Sequence, residues 1–189
     1  MSFFNRSAAW GLLLIAFALP FVAGCDSDSL SDTDPRQSSV DPVFDRYVSI
    51  GNSITAGFQS NGINTNTQNE SYAVLLADQM GTPFDIPGIQ SPGCPPPVTN
   101  ILTGERVGGG SEDTCAFRTL PSPLVLNNVA VPGAATVDVL SNDPNVANPS
   151  ALTRLILGNR TQVEAALEAN PSFASIWIGN NDVLGAALS

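Results

Sequence analysis

Apolar runs of strand length recur three times along the chain, and each run leads into a glycine-containing turn. They are "FDRYVSIG", which ends at Gly51, "LVLNNVAVPGA", which contains Gly133, and "SFASIWIGNND", which contains Gly179. Runs of this length bounded by glycine are typical of β-strands. The third run is apolar almost throughout, which predicts a strand covered by helices on both faces. "TPFDIPGI" is at best one more short strand.

Helical patterns separate these strands. "SITAGFQS" places Ser53 at a predicted helix N-terminus, and "TNTQNESYAVLLADQMG" is the clearest helix, with Gly81 suited to the C′ position. The apolar positions of that helix are Tyr72, Val74, Leu75, Leu76 and Met80. "ATVDVLSN" predicts a short helix, and "SALTRLILGNRTQVEAALEANP" predicts one or two. Strands alternating with helices indicate an α/β fold with a mostly parallel sheet and its functional groups at the carboxyl edge.

The first 24 residues have the layout of a secretory signal. Arg6 precedes the apolar run "AAWGLLLIAFALPFVAG", which ends in small residues. The competing interpretation is a transmembrane anchor, but the run is short for a spanning helix and Pro20 interrupts it. We therefore predict a signal peptide over residues 1–24.

The residues "VAGC" at the end of this segment resemble the lipobox of bacterial lipoproteins, in which the cysteine is acylated and becomes the new N-terminus. The resemblance implies lipid attachment at Cys25, and two or three acyl chains anchor a protein durably. The protein is then extracytoplasmic, lipid-anchored to a membrane of the cell envelope, and either periplasmic or at the cell surface. Residues 25–42 are rich in aspartate and serine, which predicts a flexible acidic tether. The folded domain is predicted over residues 43–189.

The net charge of the chain restricts the classes of partner that it can bind. The formal net charge is −10, with seven arginines and no lysine. Such acidity argues against nucleic acid or an anionic membrane surface as a partner. Abundant aspartate without lysine resembles proteins of salt-loving organisms, and ordinary compositional drift in a secreted protein explains it equally well.

Two further cysteines, Cys94 and Cys115, lie in a Pro- and Gly-rich region from Gln90 to Pro123 that predicts a loop-like insertion. An even pair in an oxidising compartment indicates a disulfide. Closing this loop would remove ~3 kcal/mol of chain entropy from the unfolded state. Metal binding by two cysteines without histidine is much less favoured, and we predict no metal and no cofactor.

The three strand ends offer complementary groups. "IGNSIT" supplies the Ser53 hydroxyl at a helix N-terminus, "AVPGAA" supplies the backbone N–H of Gly133, and "IGNND" supplies the Asn181 amide. In a parallel sheet these turns would lie side by side. A hydroxyl with converging neutral donors suits acyl transfer, in which the donors form an oxyanion hole. Taken singly, each motif is more simply a turn, and Asn181 and Asp182 could simply cap the next helix.

In this order the three motifs resemble the blocks of the GDSL-type esterases and lipases, the SGNH hydrolase family. "GNSIT" matches the block that contains the nucleophile, with Asn52 where aspartate is usual, "NVAVPGA" matches the glycine block, and "GNND" matches the asparagine block. The resemblance covers about residues 44–188. It implies that Ser53 is the nucleophile and a first oxyanion donor, and that Gly133 and Asn181 are the other two donors. It also implies a three-layer α/β/α fold, flavodoxin-like, with a mostly parallel sheet.

The fourth block of the family, Asp-x-x-His, has no counterpart here, because the chain contains no histidine. We expect the chain to stop short of its catalytic base, with the C-terminal part of the fold missing, so that the chain as given has little activity. The implied function is hydrolysis of a carboxylic ester, whether a lipid, an acylated glycan or a small acyl compound. The alternatives are a catalytically inactive, hydrolase-like surface lipoprotein that binds a glycan or lipid, and a structural lipoprotein without a site.

Overall fold

The computed structural model describes residues 41–188. The predicted signal peptide, the lipid attachment site Cys25 and nearly all of the tether therefore lie outside the described residues. Within the described range, no helix is long and apolar enough to cross a membrane.

The described chain is of mixed α/β type. Its strands are β1 (Tyr47–Gly51), β2 (Val98–Asn100), β3 (Glu105–Arg106) and β4 (Phe173–Trp177). Its α-helices are α1 (Ser53–Ala56), α2 (Thr65–Asn69), α3 (Tyr72–Met80), α4 (Ala151–Leu157), α5 (Gln162–Glu168) and α6 (Asn180–Leu188). Short 3-10 turns lie at Val107–Gly109 and Val137–Val139.

A parallel pairing between β1 and β4 is the centre of the fold, with Tyr47 opposite Phe173 and Gly51 opposite Trp177. The second predicted strand follows the other side of β1 as an extended segment, residues 127–131. The Ser49 N–H donates to the Asn127 carbonyl over 2.8 Å, and the Val131 N–H donates to the Gly51 carbonyl over 3.1 Å. The three apolar runs thus lie side by side, with β1 in the middle.

Burial explains why β1 takes the middle position: all five of its residues are buried. Val48 and Ile50 pack in a core cluster with buried residues of the 127–131 segment, α4 and α5. These are Val129, Val131, Ile156, Leu157, Ala165 and Ala166. Tyr47 faces a different set of side chains and stacks on Phe84, with their ring centroids 4.9 Å apart.

The prediction that the third strand is covered on both faces is wrong for the described residues. In β4, Ile176 is 64 % and Trp177 50 % exposed. The physical reason is position, since β4 pairs with β1 on one side and forms the edge of the described sheet.

The predicted long helix is divided in two. The first part, α2, ends at Asn69. Ser71 caps α3, since its hydroxyl accepts a hydrogen bond from the Val74 N–H. The buried residues of α3 are Ala73 and Ala77, whereas the predicted core residue Leu75 is 54 % exposed. Small residues allow this helix to pack closely, so the larger apolar side chains lie at its margins. "ATVDVLSN" forms only the 3-10 turn Val137–Val139, and "TPFDIPGI" forms no named strand.

The predicted insertion is irregular apart from the antiparallel pair β2–β3 and the 3-10 turn Val107–Gly109. The structure places the sulfurs of Cys94 and Cys115 at disulfide-bonding distance, as the sequence predicts. Arg106 is buried and donates to the carbonyls of Asn61 and Pro96 over 2.8 and 2.7 Å. The guanidinium thereby joins the insertion to the turn that follows α1.

Candidate active site

Ser53 is the first residue of α1, directly after the turn that ends β1. The turn is tight: a Cβ at Gly51 would lie 2.3 Å from Thr55 Oγ1 and 2.6 Å from the Trp177 carbonyl, so only glycine fits. Asn52 caps the helix, and its Oδ1 accepts a hydrogen bond from the Ile54 N–H. Because α1 has only four residues, little macrodipole is available to act on Ser53.

The Ser53 side chain is half-buried, and its hydroxyl has no hydrogen-bond partner among residues 41–188. A serine hydroxyl is a weak nucleophile until a base removes its proton. The chain provides no histidine for that purpose. The described site therefore contains the residue predicted to be the nucleophile, without a group placed to activate it.

Gly133 lies in the turn after residues 127–131, with a φ of 84°. A Cβ at this position would meet nothing within 4 Å, so the left-handed backbone rather than lack of space favours glycine. The Gly133 N–H donates to no backbone carbonyl in the described part of the chain. It is available as a donor to a bound oxygen.

Asn181 is in the first turn of α6 and donates through Nδ2 to the Ala134 carbonyl over 2.8 Å. An amide nitrogen has two hydrogens, so one remains for a further acceptor. The neighbouring Asp182 accepts from the backbone N–H and the hydroxyl of Thr136, at 3.0 and 3.1 Å. These two side chains connect α6 to the Gly133 turn.

The structure brings the three predicted turns together through four contacts. The Val131 N–H and the Gly51 carbonyl connect the first two turns. The Asn52 amide donates to Asn180 Oδ1, which connects the first turn to the third. The bonds of Asn181 and Asp182 connect the second turn to the third.

Two residues of this network were missed from the sequence. Asn180 lies within "GNND", and its polar side chain was a usable signal. Gln162, at the start of α5, accepts the Gly51 N–H through Oε1 at 2.9 Å. No sequence signal indicates that bond, because the two residues are 111 positions apart.

Asn52 stands where the motif that "GNSIT" resembles has aspartate, and its environment explains why an amide is suitable. The side chain is fully buried, and it both accepts from Ile54 and donates to Asn180. A carboxylate could not donate, and burying its charge would be costly. As for metals, residues 41–188 contain no cluster of three His, Cys, Asp or Glu side chains that could hold one.

Comparisons of the chain with protein-family models, with curated proteins and with solved structures found no match. The functional argument therefore depends on the three turns and on the contacts between them.

Proposed function

We propose that the protein is a serine hydrolase that cleaves carboxylic esters at the cell envelope, with a three-layer α/β/α domain of the SGNH type. The observation that carries the proposal is the set of hydrogen bonds that unites the three turns, each of which follows an extended apolar segment. A turn that only connects two elements of the chain does not require hydrogen bonds to the two other turns. A nucleophile and its oxyanion donors must lie close together, and such bonds would hold them there.

In the proposed reaction, Ser53 Oγ attacks the ester carbonyl carbon while a base takes the hydroxyl proton. The negative oxygen that forms would accept hydrogen bonds from the Ser53 N–H, the Gly133 N–H and the Asn181 amide. Collapse of the intermediate expels the alcohol, which takes up a proton, and leaves an acyl-serine. Water then hydrolyses the acyl-serine and restores the hydroxyl.

The base is not among these 189 residues, which include no histidine. The proposal assigns it to an Asp-x-x-His block in a longer form of the chain. Without a base, a triad enzyme loses several orders of magnitude in rate. We expect the 189-residue chain to show little or no activity on p-nitrophenyl acetate.

The test uses the chain extended by its natural C-terminal continuation. Ser53→Ala should eliminate turnover, whereas Ser111→Ala, at an exposed serine of the insertion, should leave it unchanged. Asn181→Ala should lower kcat by ~100-fold or more with a smaller effect on KM, because its amide acts mainly on the transition state. Thermal unfolding of each variant separates lost chemistry from lost folding. Full activity of Ser53→Ala would refute the nucleophile assignment.

The second candidate is a hydrolase-like lipoprotein that binds a glycan or lipid without chemistry. The observation that favours it is that the Ser53 hydroxyl has no hydrogen-bonded base among residues 41–188. Reading the genomic DNA beyond codon 189 separates the two candidates. An open frame that encodes Asp-x-x-His supports the esterase, and a stop codon supports the binding protein.

A further inference from the structure

A small cavity of about 140 Å³ lies against the Gly133 turn. Its wall includes Val131, Gly133, Asp138, Thr153, Leu157 and Gln162. The volume is several times the ~30 Å³ that one water occupies in the liquid, so the cavity can accept a group of a few heavy atoms. It adjoins one predicted oxyanion donor, and through Gln162 it adjoins the turn that presents Ser53.

Gln162 is the unusual member of this wall. Its side chain is only 1 % exposed, and its Oε1 accepts the Gly51 N–H. Its Nε2 is buried and has no hydrogen-bond partner among the described residues. Leaving a buried donor unpaired is costly, so an acceptor that enters the cavity and meets Nε2 after a small shift of the side chain would be stabilised.

Asp138 gives the cavity a second polar property. Its two carboxylate oxygens accept the N–H groups of Ala135 and Asn148, at 2.8 and 2.7 Å. A carboxylate has about four acceptor sites, so Asp138 can accept further hydrogen bonds. No arginine contributes to the wall of the described cavity, so the negative charge of Asp138 is not neutralised there and disfavours an anionic ligand.

We propose that this cavity binds a hydroxyl-bearing part of the substrate, a neutral polyol fragment of about three carbons, with Gln162 as the residue that selects it. A neutral hydroxyl can both accept from an amide N–H and donate to a carboxylate. The inference rests on the proposed function in treating the bound fragment as part of a substrate. It implies that the alcohol part of the ester is a polyol or a sugar rather than a purely apolar alcohol.

The test measures binding directly and requires no catalysis. Glycerol is added to the ¹⁵N-labelled 189-residue chain, and the side-chain amide of Gln162 and the backbone amide of Gly133 are followed by NMR. Both resonances should shift with the same saturation curve. Sodium acetate and propane, the anionic and apolar controls, should leave them in place or bind at least tenfold more weakly.

The decisive variant is Gln162→Glu, which keeps an oxygen for the Gly51 N–H and removes the amide donor. We expect its Kd for glycerol, read from the Gly133 resonance, to rise by roughly tenfold, the equivalent of one hydrogen bond. Gln79→Glu is the matched control, because Gln79 is exposed on α3. If Gln162→Glu does not fold, Asp138→Asn takes its place in the same binding test, since it retains the shape of the side chain. We expect Asp138→Asn to weaken glycerol binding several-fold.

Glycerol that causes no shift, or that binds Gln162→Glu as tightly as the parent chain, would overturn the inference. Tighter binding of acetate than of glycerol would overturn the ligand class. The result is separable from the esterase test. Glycerol binding with an inactive extended chain would refute only the proposed function, and an active extended chain that does not bind glycerol would refute only this inference.

Discussion

At the sheet edge, three turns meet through backbone pairing and amide side chains, whereas the insertion around Cys94 and Cys115 is joined by a disulfide and one buried arginine. The strands that lead to the turns are apolar and bury their backbone against each other. The insertion has few apolar residues in regular elements, and Ile101 and Leu102 at the tip of β2–β3 are 90 % and 93 % exposed. A segment that buries little apolar surface needs other links to be ordered, here a disulfide and the hydrogen bonds of a buried guanidinium.

We expect the largest change in stability from a glycine substitution at the sheet edge, compared with a glycine substitution in the insertion. Gly51→Ala should lower the free energy of unfolding by at least about 3 kcal/mol, because its Cβ would lie 2.6 Å from the Trp177 carbonyl. Gly104→Ala, in the insertion, has open space and should cost about 1 kcal/mol for its φ of +71°. Chemical denaturation measures both. Equal losses of unfolding free energy in the two variants would show that the sheet edge accommodates an added methyl group as readily as the insertion does.

Removing the covalent link should come next in size. Cys94→Ser with Cys115→Ser should lower the free energy of unfolding by about 3 kcal/mol, because the bond closes a loop with a sequence separation of 21. After export to the periplasm of a bacterial expression host, non-reducing peptide mapping should recover the two cysteine peptides joined. Recovery of both as free thiols would remove this explanation of the ordered insertion.

The buried guanidinium should contribute slightly less. Arg106→Met leaves the Asn61 and Pro96 carbonyls without their donor, at an expected cost of about 2 to 3 kcal/mol. Its salt-bridge partner Glu112 is exposed, so little of the loss comes from that pair. Arg154→Met is the control, because Arg154 is exposed on α4 and should change stability by less than about 0.5 kcal/mol. A matching loss in both variants would refute the role of Arg106.

The bond between two turns can be isolated by a double-mutant cycle. Asn52→Ala should cost about 1 to 2 kcal/mol, because it removes the helix cap and the donor to Asn180. Asn180→Ala alone should cost less. The coupling energy between the two changes should be about 1 kcal/mol, as expected for residues in direct contact. Strict additivity would show that the contact does not hold the turns together.

The smallest effect is a pH dependence inside the sheet. Burial raises the pKa of Tyr47 above its usual value near 10, and the bond to Ser175 partly opposes the shift. The folded state therefore holds this proton more tightly than the unfolded state. The resulting stability is complete below pH 10 and is lost as pH rises through the folded pKa. Tyr47→Phe should flatten that alkaline decline and cost about 1 kcal/mol at pH 7. An unchanged alkaline decline would exclude Tyr47 as its cause.

Local patterns in the sequence were sufficient for several features. The apolar runs located β1, β4 and the extended segment 127–131, and the parallel arrangement predicted that their three turns meet. Gly81 was enough to predict the end of α3, because a C-terminal cap depends on residues within one helical turn. The break between α2 and α3 at Ser71 was not predicted. An even pair of cysteines on either side of a Pro- and Gly-rich loop was enough to predict their pairing.

Long-range packing decided the rest. Three features depend on partners that are distant in sequence: the burial of residues in α3, the exposure of β4 and the hydrogen bond from the Gly51 N–H to Gln162. Hydrophobic periodicity does not predict such partners. The amide network of Asn52 and Asn180 likewise requires β1 and α6 to be placed side by side. The sequence by itself determined which chemical groups follow each strand. Only the tertiary structure decided which of them touch, because hydrogen bonds require atoms within about 3 Å, and that distance depends on the whole fold.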